Sequence, residues 1–431
     1  MSGRFVRQSS YRHVFGEAPK KEQQFTDVRP NPTGDGQCLT ASAQFIAAPM
    51  QGGGGPALVL DASKPGRHDS CSKVAVHKGK ILDLAFNPFM GNMLATASDD
   101  CMIKCTMVNA EGVAKKEVFS EACATLKGHQ KKVQNVVWHP NASNVIASTS
   151  YDNTIKVWDV EKQTAINTVK TDGIHGCTWN SNGSMLGACL RTKQVATMDP
   201  RSNGEGMTVG AGPEGTKCAR FMWCESIDKI IVLGFTRTSA RQYMVYDIKN
   251  LDKPLAKANI DQSAGLMMTH YDPDNNMIYI AGKGDSTIKY FEVTSGKPYL
   301  HHLSEYSDSS SQKGVGWAPK YSLDTTKCEI ARAYRVLRDT IQPVSFRVPR
   351  KSDMFQEDIF PDTCSWEPAN NAGSYFGGED KASNTITMDP EKREGGEIKE
   401  AKFEAKKSYE ELEAELAAAH KEIAALKAKL G

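Results

Sequence analysis

The stretch from Leu126 to Val160, LKGHQKKVQNVVWHPNASNVIASTSYDNTIKVWDV, limits the possible folds of this chain more than any other. Gly128-His129 opens it. VQNVVW alternates as a strand, HPNAS carries turn residues, and NVIASTS is a second strand. Asp152-Asn153 turns again, and TIKVWDV closes the unit. Read with its closing partner, the unit supplies four short strands. A single such unit leaves sheet faces and edges exposed, so it requires neighbours of its own kind.

This is the pattern of one blade of a WD-repeat β-propeller. In such blades the opening His, the turn Asp, a strand Ser or Thr and the closing Trp form a hydrogen-bonded tetrad. Here those residues are His129, Asp152, Ser148 and Trp158. A buried carboxylate needs such partners, because an unpaired one is expensive. Degenerate copies flank the unit. Upstream, one begins at His77, takes its turn acid from Asp99 or Asp100, and has Thr106 in the Trp slot. Downstream, the closing strands are QVATMD, YMVYD and IKYFE. The closing positions Thr106, Trp158, Met198, Tyr246 and Phe291 lie near the ~40–45 residues expected per blade. Residues 297–345 and 25–70 supply strands for one to two further blades. The expected fold is therefore all-β: a seven-bladed propeller, its ring closed by strands from both ends of the chain.

Beyond the repeats, QPVSFRVPRKSDMFQEDIFPDT (342–363) has prolines and no periodicity, and is read as an extended segment packed on the propeller. Residues 366–404, rich in Gly, Asn, Ser, Glu and Lys, are expected to be a flexible linker between the domain at 1–365 and a C-terminal α-helical coiled coil at 405–431. There Tyr409, Leu412, Leu416, Ala419, Ile423, Leu426 and Leu430 step alternately by three and four, forming an a/d seam. So narrow a stripe favours self-association over docking on the chain's own propeller. Glu413 and Glu415 lie near one end, with Lys427 and Lys429 near the other, which suits antiparallel pairing. Parallel pairing also gains, through Glu422 against Lys427 of a neighbour. Strand number and orientation stay open.

Hydrophobic residues make up 39% and charged residues 24%, enough apolar material for a sizeable core. A net charge of +2 is too balanced for nucleic-acid binding by bulk attraction. The eleven cysteines show no regular framework, MSGRFVRQSSYRHVFG has no apolar leader core, and no apolar run is long enough for a membrane helix. These features lead to the expectation of a soluble protein in a reducing compartment, the cytoplasm. Gly52–Gly55 is not followed by Lys-Ser or Lys-Thr, so it is a loop and not a phosphate cradle. Cys101 and Cys105 lack further metal ligands nearby. His129 with Asp152 suggests acid–base work only outside its repeat context. No set of acid, base, nucleophile or metal ligands converges, so no enzyme, metal or cofactor is expected.

At this point the chain resembles the coronin family. The resemblance rests on RQSSYRHVFG, SYDNTIKVWD, MTHYDPDNNMIYIAGKGDSTIKYFEV, CEIARAYRV and VPRKSDMFQEDIFPDT, and spans nearly the whole sequence. It implies filamentous-actin binding, oligomerisation through the coiled coil, regulation of filament turnover, and a place in the actin cytoskeleton and cell cortex. It also implies, as further partners, the branching complex of actin-related proteins and cofilin, while phosphoinositides are a candidate partner of the basic cluster at Arg347, Arg350 and Lys351. In the family an arginine just before the first propeller strands is a filament contact, and FTDVRPNP puts Arg29 in that slot. Arg4, Arg7, Arg12, Lys20 and Lys21 are candidates to extend its patch, and Ser2 is a candidate phosphorylation site beside them. The cluster Arg347, Arg350 and Lys351 is a candidate for headgroups or actin. One departure concerns the tail. The family's trimer pattern wants Arg at g and Glu at e, whereas Glu422 and Lys427 stand reversed, so a trimer is not implied. The competing reading is a general WD-repeat scaffold whose partner is not actin.

Overall fold

The computed structural model describes residues 7–352, 354–393 and 402–406, together with Leu416 and His420. Seven sheets, antiparallel except for one short parallel pair in each of two of them, form a closed propeller. Their innermost strands are Thr40–Ala41, Ile81–Phe86, Val133–Trp138, Ile174–Trp179, Arg220–Cys224, Met267–Asp272 and Gly314–Trp317, and we number blades 1 to 7 in that order. Each of these strands contacts the next, and the seventh contacts the first. Blade 7 takes its outer edge from the chain's beginning. Phe25–Thr26 and Phe15–Glu17 both pair antiparallel with Thr340–Arg347. Closure is thus made by main-chain hydrogen bonds between the two ends of the domain, and removes the open sheet edge.

Two recurrent contacts hold neighbouring blades at fixed angles. At the ends of inner strands, Trp138 Nε1 donates to the Ala85 carbonyl (3.0 Å), Trp179 Nε1 to Val137 (3.3 Å) and Trp223 Nε1 to Thr178 (3.2 Å). Each indole buries a large apolar surface while satisfying its single donor on the preceding blade. Blades 5 to 7 use buried guanidiniums instead. Arg241 reaches Asp285 (2.6 Å), and Arg335 reaches Gln312, Gln342 and Asp308 at 2.7 to 2.9 Å. These charges are tolerable in the interior because every one of them is paired.

Blade 3 carries the full tetrad. His129 Nδ1 lies 2.9 Å from Asp152, its Nε2 lies 2.8 Å from Ser148 Oγ, and Trp158 Nε1 donates to the same oxygen at 2.8 Å. Gly128 takes φ +152, and an added Cβ there would press on the Trp158 ring, which is why glycine precedes the histidine. Burial alone would raise the Asp152 carboxyl, but hydrogen bonds from Thr154, the Gln130 N–H and His129 hold it down at about 2. Blade 2 keeps three members: His77 bonds Asp100 (2.9 Å) and Thr96 Oγ1 (2.9 Å). The turn acid is therefore Asp100, and Thr106 Oγ1, in the Trp slot, is buried without a hydrogen bond.

The upper face carries the turns between second and third strands and the loops that lead into the next blade. The chain after blade 7 covers much of the lower face. Ile359, Phe360 and Met388 enter the core of blades 6 and 7. Asn370–Asn371 pairs with Ala142–Ser143 beneath blade 3, and Thr363–Cys364 with Thr385–Ile386. The linker expected to begin at 366 is thus corrected for residues 366–393, which pack against the propeller. Their Asn and Ser residues, suggestive of a linker, are structural partners here. Asn141 Nδ2 donates to the Lys381 carbonyl (2.7 Å), Ser383 Oγ to Asn141 Oδ1 (2.5 Å), and Asn371 caps the short helix Ala372–Phe376. That helix inserts Tyr375, 1% exposed, edge-on against His139 at 4.5 Å. Farther on, Phe403 and Ala405 pack on the core of blades 2 and 3, and the Lys406 N–H donates to the Glu161 carbonyl (2.8 Å). The a/d seam expected at 405–431 lies outside the described residues except for Leu416, which is helical and exposed.

Two measurements check this account of stability. Asp152→Ala strands the His129 ring and the Gln130 and Thr154 N–H groups, and is expected to cost about 2–4 kcal/mol in urea unfolding. Thr106→Val removes a hydroxyl that has no partner, and is expected to be neutral or to stabilise by up to about 1 kcal/mol. The reverse ranking would exclude the tetrad as a stability element. The second measurement concerns His139, whose Nδ1 accepts the Asn141 and Ala142 N–H groups while Nε2 donates to the Gly183 carbonyl. A proton on Nδ1 would face two donors, and burial already lowers the ring to about 4. The unfolded chain takes up that proton first, so this contribution to stability is lost as pH falls from the ordinary histidine value of 6.5 through about 4. His139→Gln should flatten the loss of unfolding midpoint over that interval. An unchanged slope would contradict the assignment.

Candidate functional site

With much of the lower face covered, the upper face is the more open one, and Arg29 stands on it. The residue follows the closing strand Phe25–Thr26, in the loop that leads from blade 7 into blade 1. That loop, residues 27–38, is pinned along its length. Pro30 bridges Met50, and the Asn31 N–H donates to the Pro49 carbonyl (2.7 Å). Lys283 Nζ donates to the Gly34 carbonyl (2.8 Å), Arg220 to the Asp35 carbonyl, and Gln37 Nε2 to the Thr269 carbonyl (2.5 Å). The loop therefore crosses the mouth of the central channel and touches blades on both sides of it. Gly34 permits this passage, since a Cβ would collide with the Leu82 carbonyl oxygen. Val28 and Pro30 are buried on either side of exposed Arg29. The guanidinium thus projects from rigid backbone, and makes no ion pair among the described residues.

Further exposed bases share this face. Lys78 and Lys80 flank the turn after His77, Lys127 and Lys131 flank His129, and Lys313 lies in the loop before blade 7. None of them makes a salt bridge among the described residues, whereas most acids of the same face are engaged. Asp100 and Asp152 serve tetrads, Asp27 pairs with Arg67 (2.6 Å), and Asp308 with Arg335 (2.9 Å). Asp35, Asp99 and Asp172 stay exposed. The result is an arc of exposed, unpaired bases over blades 7, 1, 2 and 3 in which bases outnumber the exposed acids. The sequence reading passed over Lys78, Lys80, Lys127, Lys131 and Lys313. A signal was available for four of them: they flank the blade-opening histidines, whose turns all lie on one face.

The structure does not bring the other proposed bases to Arg29. Arg7 is ion-paired with Glu292, at the lower end of blade 6. Arg12 is exposed just before Phe15–Glu17, which pairs with the lower end of Thr340–Arg347. That eight-residue strand spans about 25 Å, so Arg12 and Arg29 lie near opposite faces. Lys20 and Lys21 are exposed on the outer rim between them. Arg4 and Ser2 fall outside the described residues. In the second basic cluster, Arg347 pairs with Glu17 (2.6 Å) and Arg350 with Asp358, leaving Lys351 unpaired among the described residues. No grouping of three or more His, Cys, Asp or Glu side chains suited to a metal occurs among the described residues.

Comparison with known proteins adds to this geometry. Residues 4–67 match a family described as a domain of unknown function, DUF1899. Residues 69–105 and 120–159 match the WD domain, G-beta repeat, and residues 341–383 a type of WD40 repeat. The chain is 36% identical over 396 residues to coronin-like protein crn1 of Schizosaccharomyces pombe, covering 90% of this chain and 65% of that one. The match therefore spans just under two thirds of the fission-yeast protein's length. Coronin-A of Dictyostelium discoideum is 35% identical over 400 residues, covering 92% of this chain and 88% of that one. The crystal structure of the WD40 domain from Toxoplasma gondii coronin superposes with a TM-score of 0.83 at 29% identity, over 88% of this chain and 98% of that one.

Proposed function

The chain belongs to the coronin family, and from that premise we propose that it binds filamentous actin through the basic arc of its upper face and joins copies of itself through its C-terminal coiled coil. On this reading it works in the cytoplasm and at the cell cortex, where it organises filaments and regulates their turnover. The observation that carries the proposal is the arc itself. Arg29, Lys78, Lys80 and Lys131 are exposed on rigid loops of the upper face, and their side chains make no salt bridge among the described residues. An acidic filament is attracted and oriented by such a field, and preorganised loops lower the ordering cost of docking. The lower-face bases, by contrast, are partly neutralised within the chain, so filament contact is assigned to Arg29 and its upper-face neighbours. Arg7 and Arg12 are assigned to the base of the propeller, and Lys20 and Lys21 to the rim.

The tail supplies multivalency. A single patch that binds weakly gains roughly 10²–10⁴ in avidity when a second is linked to it. Packing of Phe403, Ala405 and Lys406 beneath blades 2 and 3 supports a tail that departs from the lower face, with the upper faces directed outward toward filaments. Contacts with the branching complex, cofilin and phosphoinositides belong to the same proposal at a finer level.

Co-sedimentation with filamentous actin tests both halves. Arg29→Glu, and separately the pair Lys78→Glu with Lys80→Glu, should each weaken binding at least tenfold, while Arg7→Ala leaves it within about twofold. Raised salt should weaken the parent protein steeply. Equal losses from upper- and lower-face variants would overturn the assignment of the face, and failure of the parent protein to sediment at low salt would overturn the function. Truncation after Lys406 should leave single-filament binding detectable but abolish low-speed sedimentation of bundles. Bundling retained at full strength by the truncated chain would rule out the tail as the linker.

A further inference from the structure

We propose that the mouth of the central channel on the upper face is a second binding site, one that receives an acidic side chain of a partner polypeptide. A cavity of about 30 Å³ opens there, lined by Gln134, Asn135, His175, Arg191, Cys218 and Arg220, with the Asp35–Gly36 backbone as its remaining wall. Two guanidiniums converge on this small space, and both are held in place by neutral acceptors. Arg191 Nε donates to the Ile174 carbonyl (3.1 Å), and its Nη2 to Gln134 Oε1 (2.9 Å). Arg220 Nε donates to the Met267 carbonyl (3.0 Å), and its Nη2 to the Asp35 carbonyl. Neither makes a salt bridge among the described residues, in contrast to buried Arg241 and Arg335, which pair with Asp285 and Asp308. Oriented guanidiniums without a carboxylate are half of a charge-assisted, bidentate pair.

The surroundings set the class of ligand. Arg191 lies over the Tyr151 ring at 4.1 Å, and Lys132 lies over the same ring at 4.4 Å, so an aromatic and two cations mark the rim. Tyr and Arg are the residue types that dominate binding energy at protein interfaces. The His175 ring has no hydrogen bond among the described residues and is free to donate to an incoming oxygen. The nearest internal carboxyl, Asp83, lies behind the Gly36 wall, where its Oδ2 accepts from Asn135 Nδ2 (3.0 Å) and the Val136 N–H (3.0 Å), and it makes no salt bridge to either guanidinium among the described residues. The cavity has room for the head of an Asp or Glu side chain and none for a nucleotide. Asp35, exposed at the rim, disfavours a doubly charged phosphate more than a singly charged carboxylate. The partner is therefore an acidic, unphosphorylated segment whose backbone lies across the upper face. The site lies beside the loop of Arg29, but its chemistry does not depend on actin.

Fluorescence polarisation with the full chain tests this without actin. The probes are two labelled heptapeptide pools with random flanks, one with Glu and one with Gln fixed at the centre. The Glu pool is expected to bind at least tenfold tighter than the Gln pool. Arg191→Gln, at an exposed turn that keeps the fold, should remove that preference, and Arg220→Gln should do the same. Lys21→Gln, on the outer rim, should preserve the ratio. Equal binding of the two pools, or a preference that survives Arg191→Gln, overturns the proposal. Inorganic phosphate that binds more tightly than the Glu pool overturns it in favour of a small-anion site.

Discussion

Everything in this molecule depends on the pairing of Phe15–Glu17 and Phe25–Thr26 with Thr340–Arg347. A propeller is a strip of sheets until its ends meet, and here no covalent bond joins them. The seam is reinforced from inside. Tyr290 Oη donates to the Val14 carbonyl (2.9 Å), and Phe346 packs among Tyr279, Tyr290 and Trp317. Ile359, Phe360 and Met388 bring the chain beyond blade 7 into the same core. Such cooperativity makes both ends of the domain obligatory, since loss of either reopens a blade with a bare edge.

Closure also fixes which surface is available. The chain leaves blade 7 at its lower end and crosses beneath blades 6, 7, 3 and 4 before it reaches the tail, so much of the lower face is spent on packing. The entering strand rises along blade 7 and delivers Arg29 to the upper face. One topological choice thus covers one side and arms the other. The loop that carries Arg29 then spans the channel, tied to blades 1, 5, 6 and 7, so the exposed guanidinium is held on rigid backbone.

Much of this was legible in the residues, for physical reasons that differ from place to place. Blade 3 was readable because its tetrad needs four particular side chains at fixed spacing, and His129, Ser148, Asp152 and Trp158 meet at hydrogen-bond distance. Blades 5 to 7 lack that set, and their inward ties, Arg241 and Arg335, have partners far away in sequence that no local pattern reveals. Residues 366–393 resembled a linker because Asn, Ser and Gly favour both flexible chain and capped, hydrogen-bonded turns. The buried Tyr375 and Met388 separate the two. The site followed the same rule. Arg29 is singled out in the sequence only by family resemblance, whereas Lys78 and Lys131 become neighbours of its face only once the ring is closed. Arg7 and Arg12, close to Arg29 in sequence, are carried to the other side by one strand.

The central claim is that this coronin meets the filament with the face that carries Arg29. Electron cryomicroscopy of filaments decorated with the full chain tests it most directly. The account predicts that the loops at residues 27–38 and 77–80 lie against actin, with residues 359–393 on the side turned away. Density that places residues 359–393, or the rim around Lys20 and Lys21, against the filament while the upper face points to solvent would contradict it.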